Sequence, residues 1–263
     1  MSFAGKVCII TGGALGIGRC LTREFAVQGC RIAFMDWDKP AGEENLRWLV
    51  EHGSDALFFH GDAGQQEDLE RFAEQVTMRF GQVDFLINNA CISHQGLLSG
   101  CGYESFLEIL RIGVAAPYYL TKLLFPLFAP GASIVNISST RAYQSQADTE
   151  SYTAAKGGIS ALTHAMAVSL AGKVRVNSIS PGWIDTGAWH QADYQPQYSE
   201  GDTLQHPSGR VGNPTDIARA ALFLCDEANS FINAENLTVD GGMSRLMVYH
   251  ADEGWDYHPN RHE

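Results

Sequence analysis

The sequence predicts one doubly wound α/β domain, about seven parallel strands with helices on both faces. Three observations predict it. Short β-branched apolar runs alternate with longer amphipathic stretches along the whole chain. A glycine-rich turn joins the first apolar run to the first amphipathic stretch. The length, 263 residues with 45% hydrophobic content, suits a single large core.

The elements follow in order. Strands are expected over 7–11, 31–35, 56–60, 83–88, 133–137, 174–179 and 237–239. Helices are expected over 16–28, 41–52, 67–80, 103–128, 150–170 and 215–224, where apolar residues recur at helical spacing. Gly29 and Gly53 stand where helix-ending glycines belong. Strand–helix–strand repetition requires parallel pairing with crossover helices, and these cover both faces of the sheet. Residues 186–210 break the rhythm: they are long, polar and dotted with aromatics, and they read as a lid over a substrate site. The domain spans 1–245 and a C-terminal extension spans 246–263.

The formal charge of -12 argues against a nucleic-acid or acidic-membrane surface. No run of eighteen apolar residues and no charged-then-apolar N-terminus is present, so a cytoplasmic protein without membrane contact is expected. The six cysteines form no Cys-x-x-Cys pair and read as reduced thiols, mostly in the core. The nine histidines form no ligand spacing, His250, His258 and His262 falling in a solvated tail, so no metal is expected.

Thr11-Gly12-Gly13-Ala14-Leu15-Gly16-Ile17-Gly18 has the spacing of a dinucleotide cradle. Gly12 permits the tight turn, Gly16 lets the backbone approach a pyrophosphate, and Gly18 lets the helix pack closely. The helix N-terminus then offers free N–H groups and positive dipole to phosphate. Asp36, followed by Trp37, ends the second strand, where a carboxylate accepts from ribose hydroxyls and repels a 2′-phosphate. Leu15 stands where a basic side chain would favour NADP, so NAD is the expected cofactor.

Ser139, Tyr152 and Lys156 carry the chemistry. A tyrosine is a weak acid, with an ordinary pKa of about 10. A lysine ammonium one helical turn away favours the phenolate. A serine hydroxyl from another element can hold the oxygen whose charge changes. These are the parts of an alcohol–ketone interconversion. A decoy with the same spacing exists: Ser105, Tyr118 and Lys122. Ser139, however, follows a buried-strand pattern, whereas Ser105 would share one long helix with Tyr118, about 20 Å away at 1.5 Å per residue. The first set is therefore preferred.

These motifs resemble the short-chain dehydrogenase/reductase family, over about residues 3–245. Residues 11–18 match its Thr-Gly-x-x-x-Gly-x-Gly, and Asp62-Ala63 its adenine-contacting aspartate. Asn88-Asn89-Ala90 matches its Asn-Asn-Ala-Gly, with Cys91 replacing glycine. Pro181-Gly182-Trp183-Ile184-Asp185-Thr186 matches its Pro-Gly-x-x-x-Thr, and residues 239–242 its last strand. The resemblance implies a Rossmann-type fold and a cofactor site lined by Gly12, Leu15, Gly16, Ile17, Gly18, Asp36, Trp37, Asp62, Ala63, Asn89, Ala90, Tyr152, Lys156, Pro181, Gly182, Ile184 and Thr186. It implies Tyr152 as general acid or base, Lys156 on the nicotinamide ribose, and Ser139 polarising the substrate carbonyl. It further implies a homotetramer or homodimer packed through the two long helices.

One departure stands out. Gly113 occupies the position of the family's catalytic asparagine, in a helix that the family kinks there. Pro117 has no N–H for the carbonyl of Gly113. The kink and a relay water on that carbonyl are therefore expected to survive. The expected function is an NAD(H)-dependent oxidoreductase of secondary alcohols and ketones. The rival is a non-catalytic dinucleotide-binding sensor or scaffold. Arg141, Gln144, Gln146, His94 and Trp183 are expected to reach a pocket for a small polar substrate such as a sugar, polyol or hydroxy acid. The aromatic residues of 249–257 are expected to pack across a subunit interface.

Overall fold

A computed structural model describes residues 3–94, 96–247 and 249. The tail expected to pack through 249–257, with His250, His258 and His262, lies outside the described residues except for exposed Tyr249.

Seven strands form one parallel sheet in the order β3-β2-β1-β4-β5-β6-β7. They are β1 Val7–Thr11, β2 Arg31–Asp36, β3 Ala56–His60, β4 Val83–Asn88, β5 Phe128–Ile137, β6 Val174–Pro181 and β7 Asn236–Val239. The helices are α1 Gly16–Val27, α2 Lys39–Glu51, α3 Gln66–Phe80, α4 Tyr103–Leu110, α5 Ala116–Leu124, α6 Glu150–Ser169, α7 Glu200–Leu204 and α8 Pro214–Cys225. Alternation along β1 divides the core. Val7 and Ile9 face one apolar layer with Phe72 of α3, Leu120 of α5 and Met166 of α6. Cys8 and Ile10 face the other with Phe25 of α1, Leu49 of α2 and Ile217 of α8. Burial on both faces explains why the central strands read as continuous apolar runs. The strand order reverses beside β1, between β2 and β4, which opens the crevice at the strand C-termini.

The expected elements are present with shifted ends. The largest difference is the helix expected over 103–128. It is interrupted by a π turn at Arg111–Ala115, in which the Ala116 N–H reaches the Arg111 carbonyl. It closes in a 3-10 turn at Phe125–Leu127, after which Phe128 already pairs with Val83 of β4. The π turn lies where Pro117 withholds its N–H, so the expected kink takes this form. The short α7 was not expected. Its Ser199–Asp202 capping box was nevertheless written in the sequence, as was the Asn213–Asp216 box that starts α8.

Candidate active site

The end of β1 runs into the glycine-rich turn, and α1 starts at Gly16. A Cβ at Gly18 would lie 1.8 Å from the Gly12 carbonyl oxygen, so no other residue lets α1 start this close to the turn. Gly16 has φ of +56°, in the left-handed region that favours glycine. The Asn89 side chain holds this turn shut by donating to the carbonyls of Thr11, at 3.1 Å, and Gly12, at 2.9 Å. The Thr11 hydroxyl accepts from the Asn89 and Ala90 backbones. Asp36 braces the turn from the other side: its carboxylate accepts from the Ala14 N–H at 2.9 Å and from the Asp38 N–H at 3.0 Å. Burial pushes the Asp36 carboxyl above the ordinary range, and these N–H bonds only partly offset it.

These residues wall a cleft of about 350 Å³, which Asp36, Trp37, Asp62, Ala63, Ala90 and Thr186 also line. Of the expected cofactor residues, Gly12, Leu15, Gly16, Ile17, Gly18 and Asn89 complete it. Tyr152, Lys156, Pro181, Gly182 and Ile184 line a neighbouring cleft of about 970 Å³. The two share Ile17, Asn89 and Cys91 and so form one continuous crevice. A dinucleotide fits these residues: the glycine cradle is backbone that any Cβ would fill, and an acceptor stands at the far end. Arg19 does not line this cleft; it donates to the Ala14 carbonyl of the cradle's turn and to the Glu44 carboxylate.

Ser139, Tyr152 and Lys156 all line the larger cleft. A buried polar ladder sets their register. Asn88 donates to Asn136 at 2.8 Å, and Asn136 to the Thr163 hydroxyl at 2.9 Å, which ties α6 to β5. Ser139 sits just past the end of β5, and its hydroxyl oxygen accepts from the Arg141 N–H at 3.1 Å. Its own proton is left for another acceptor. Lys156, buried, donates from Nζ to the Ile137 carbonyl at 2.8 Å, and Nζ lies 5.4 Å from the centre of the Tyr152 ring. The decoy disperses. Tyr118 is exposed on α5, Ser105 lines an adjoining cleft, and the Lys122 ammonium lies over Tyr119 instead.

Arg141, Gln144, Gln146 and Trp183 reach the larger cleft as expected, and Arg141 donates to Gln146. His94 does not. It lies in the adjoining cleft, which meets the larger one at Ser93, with Cys101 and Asp148, and its ring pairs with Glu108 at 3.0 Å. Gly113 lines neither cleft. It is buried in the π turn, where a Cβ would lie 3.0 Å from that of Ala155 and 3.9 Å from the Cys91 sulfur. The close approach of α6 is a second reason for glycine there. Residues 186–210, expected to act as a lid, add contacts that sequence reasoning missed: Asp202 and Gln205 on the larger cleft and His190 on the smaller. Asp185 fastens this segment by accepting from Tyr198 and from the Gly187 N–H at 2.9 Å. Burial and this bond push the Tyr198 hydroxyl up to about 12. No sequence signal marks the lid contacts, because they depend on how the loop folds back.

Among the described residues no cluster of three His, Cys, Asp or Glu side chains could hold a metal, and no helix is long and apolar enough to cross a membrane.

A family profile described as enoyl-(acyl carrier protein) reductase matches residues 12–244. An oxidoreductase of Thermotoga maritima is 39% identical over 93% of this chain and 98% of its own. The chain belongs to the short-chain dehydrogenase/reductase family. Mouse L-fucose dehydrogenase is 36% identical over 91% of this chain and 89% of its own. The structure of an apo SCOR enzyme from Clostridium thermocellum superposes with a TM-score of 0.87 at 38% identity, covering 97% of this chain and 99% of that one. The family's members are oxidoreductases that bind a nicotinamide dinucleotide, and this chain is an oxidoreductase of that kind.

Proposed function

We propose that the protein is an NAD(H)-dependent dehydrogenase/reductase that interconverts a secondary alcohol and a carbonyl on a small, neutral, polyhydroxylated substrate of the sugar or polyol class. The observation that carries it is that Ser139, Tyr152 and Lys156 line a polar cleft that shares Ile17, Asn89 and Cys91 with the cleft at the glycine-rich cradle. Arg141, Gln144, Gln146, Asp202 and Gln205 supply both hydrogen-bond donors and acceptors around that cleft, which suits hydroxyls better than hydrocarbon. The relatives named L-fucose dehydrogenase favour the same class.

A nicotinamide bound in the crevice would supply or accept the hydride. The chain's own residues do the rest. The Ser139 hydroxyl donates to the substrate oxygen, and Tyr152 gives that oxygen a proton or removes one. Lys156, with one N–H spent on Ile137, keeps two for the cofactor ribose and for electrostatic support of the phenolate. Gly113, whose carbonyl receives no i+4 N–H because residue 117 is proline, is proposed to hold through that carbonyl the water that passes protons to Lys156. Asp36 and Asp62 would hold the adenosine, and Ile184 and Thr186 the nicotinamide carboxamide. The protein works in the cytoplasm, as a homodimer or homotetramer.

The test is NADH formation at 340 nm with NAD⁺ and a panel of aldoses, ketoses and polyols. Turnover with at least one sugar or polyol, and little with long-chain or acidic substrates, is expected. A protein that binds NADH tightly yet turns over nothing in the panel or among simple ketones would instead be the sensor or scaffold.

A further inference from the structure

The smaller cleft poses an electrostatic problem. The chain carries a formal charge of -12, and a dinucleotide pyrophosphate adds two negative charges beside Asp36 and Asp62. Arg19, the cation nearest in sequence, is spent on Glu44. Among the described residues that line this cleft, no lysine or arginine appears, and the one basic side chain is His190. It comes from the lid, four residues beyond Thr186.

Its place is built rather than accidental. A 3-10 turn at Gly187–Trp189 carries it, with the His190 N–H donating to the Gly187 carbonyl at 2.9 Å. Beside it, Trp189 packs into the apolar layer against α1, and the Arg23 guanidinium lies 5.8 Å from its ring centre. Anchored this way, the His190 imidazole stands over the glycine-rich turn. Its Nε2 lies 3.1 Å from where a Cβ on Gly16 would be. Gly16 is the first residue of α1, where the backbone must approach the phosphates. The side chain is exposed to the crevice.

We infer that His190 is a lid-borne ligand of the cofactor pyrophosphate, so that the segment covering the substrate also closes over the dinucleotide. An imidazole N–H can donate to a phosphate oxygen whether the ring is neutral or charged. The phosphates would then steady the same turn that leads into α7 and the substrate-cleft residues Asp202 and Gln205.

This inference rests on the proposed dinucleotide reading of the cleft, and calorimetry with three ligands separates the two. Wild type, His190→Ala and His190→Arg are titrated with NADH, ADP-ribose and adenosine. His190→Ala should weaken NADH and ADP-ribose by about ten- to a hundredfold, the loss of one hydrogen bond to a charged group. Adenosine, which has no phosphate, should bind the variant as it binds wild type. His190→Arg should restore most of the lost affinity. Unchanged ADP-ribose binding by His190→Ala overturns the inference. So does an equal loss for adenosine, or failure of the arginine to rescue, since either marks a role in propping the lid. If wild type binds neither NADH nor ADP-ribose, the dinucleotide reading falls and takes this inference with it.

Discussion

Asp36→Asn separates two roles that one carboxylate plays. In the structure each carboxylate oxygen accepts a backbone N–H, one from Ala14 of the glycine-rich turn and one from Asp38. An amide keeps one acceptor and turns an N–H donor toward the other partner. One hydrogen bond to a charged group is lost, about 1.5–3 kcal/mol. At roughly 2–4 °C per kcal/mol for a chain of this size, the melting temperature should fall by about 3–12 °C. The second role is discrimination. A 2′-phosphate about 4 Å from the carboxylate costs ~1 kcal/mol per unit charge in water and ~4 kcal/mol at an effective dielectric of 20. The half-buried Asp36 lies between these limits, so wild type should prefer NAD(H) over NADP(H) by at least tenfold. Asp36→Asn should bring that ratio close to one. Fluorescence titration with NADH and NADPH measures it. The pH dependence has a definite sign. Burial raises the Asp36 carboxyl, so discrimination is present at neutral pH and fades as pH falls, starting above the ordinary carboxylate range. Asp36→Asn is the control and shows only the phosphate's own titration, near about 6. A variant that melts lower yet keeps the wild-type cofactor ratio would show that Asp36 braces the turn but does not face the ribose.

Two further outcomes are expected. Tyr152→Phe should lower kcat by about 10²–10⁴-fold with NADH binding nearly kept, whereas Tyr118→Phe, altered on the exposed side of α5, should retain most activity; equal losses in steady-state assays would refute the assignment. Gly113→Ala brings a Cβ to 3.0 Å from that of Ala155. Overpacking of about 1–3 kcal/mol is partly offset by alanine's better helix propensity, about 1 kcal/mol. Pairing it with Ala155→Gly should therefore reveal a coupling of about 1–3 kcal/mol in unfolding at matched protein concentration, and a coupling near zero would mean that close helix approach is not why glycine stands there.

What the sequence determined by itself was whatever depends on short range. Strand and helix identity followed from period-two and helical patterning, and the cradle followed from glycine spacing, because a turn that no Cβ can enter leaves one choice of residue. Tyr152 and Lys156 were legible because one helical turn joins them. Ser139 was legible because it ends a strand. Even the break in the long helix was written in Pro117, whose missing N–H is a covalent fact. Tertiary structure decided what depends on chain segments meeting. His94, chosen for its position in a loop, turned toward Glu108 and away from the larger cleft. His190, Asp202 and Gln205 reach the clefts because residues 186–210 fold back onto the domain, where Asp185 and Trp189 help hold them. Gly113 gained a packing role from the approach of Ala155, forty-two residues away on another helix. Local periodicity records which face of an element is buried. It carries no record of which distant side chain will share that space, since that is set by the packing of whole elements against one another.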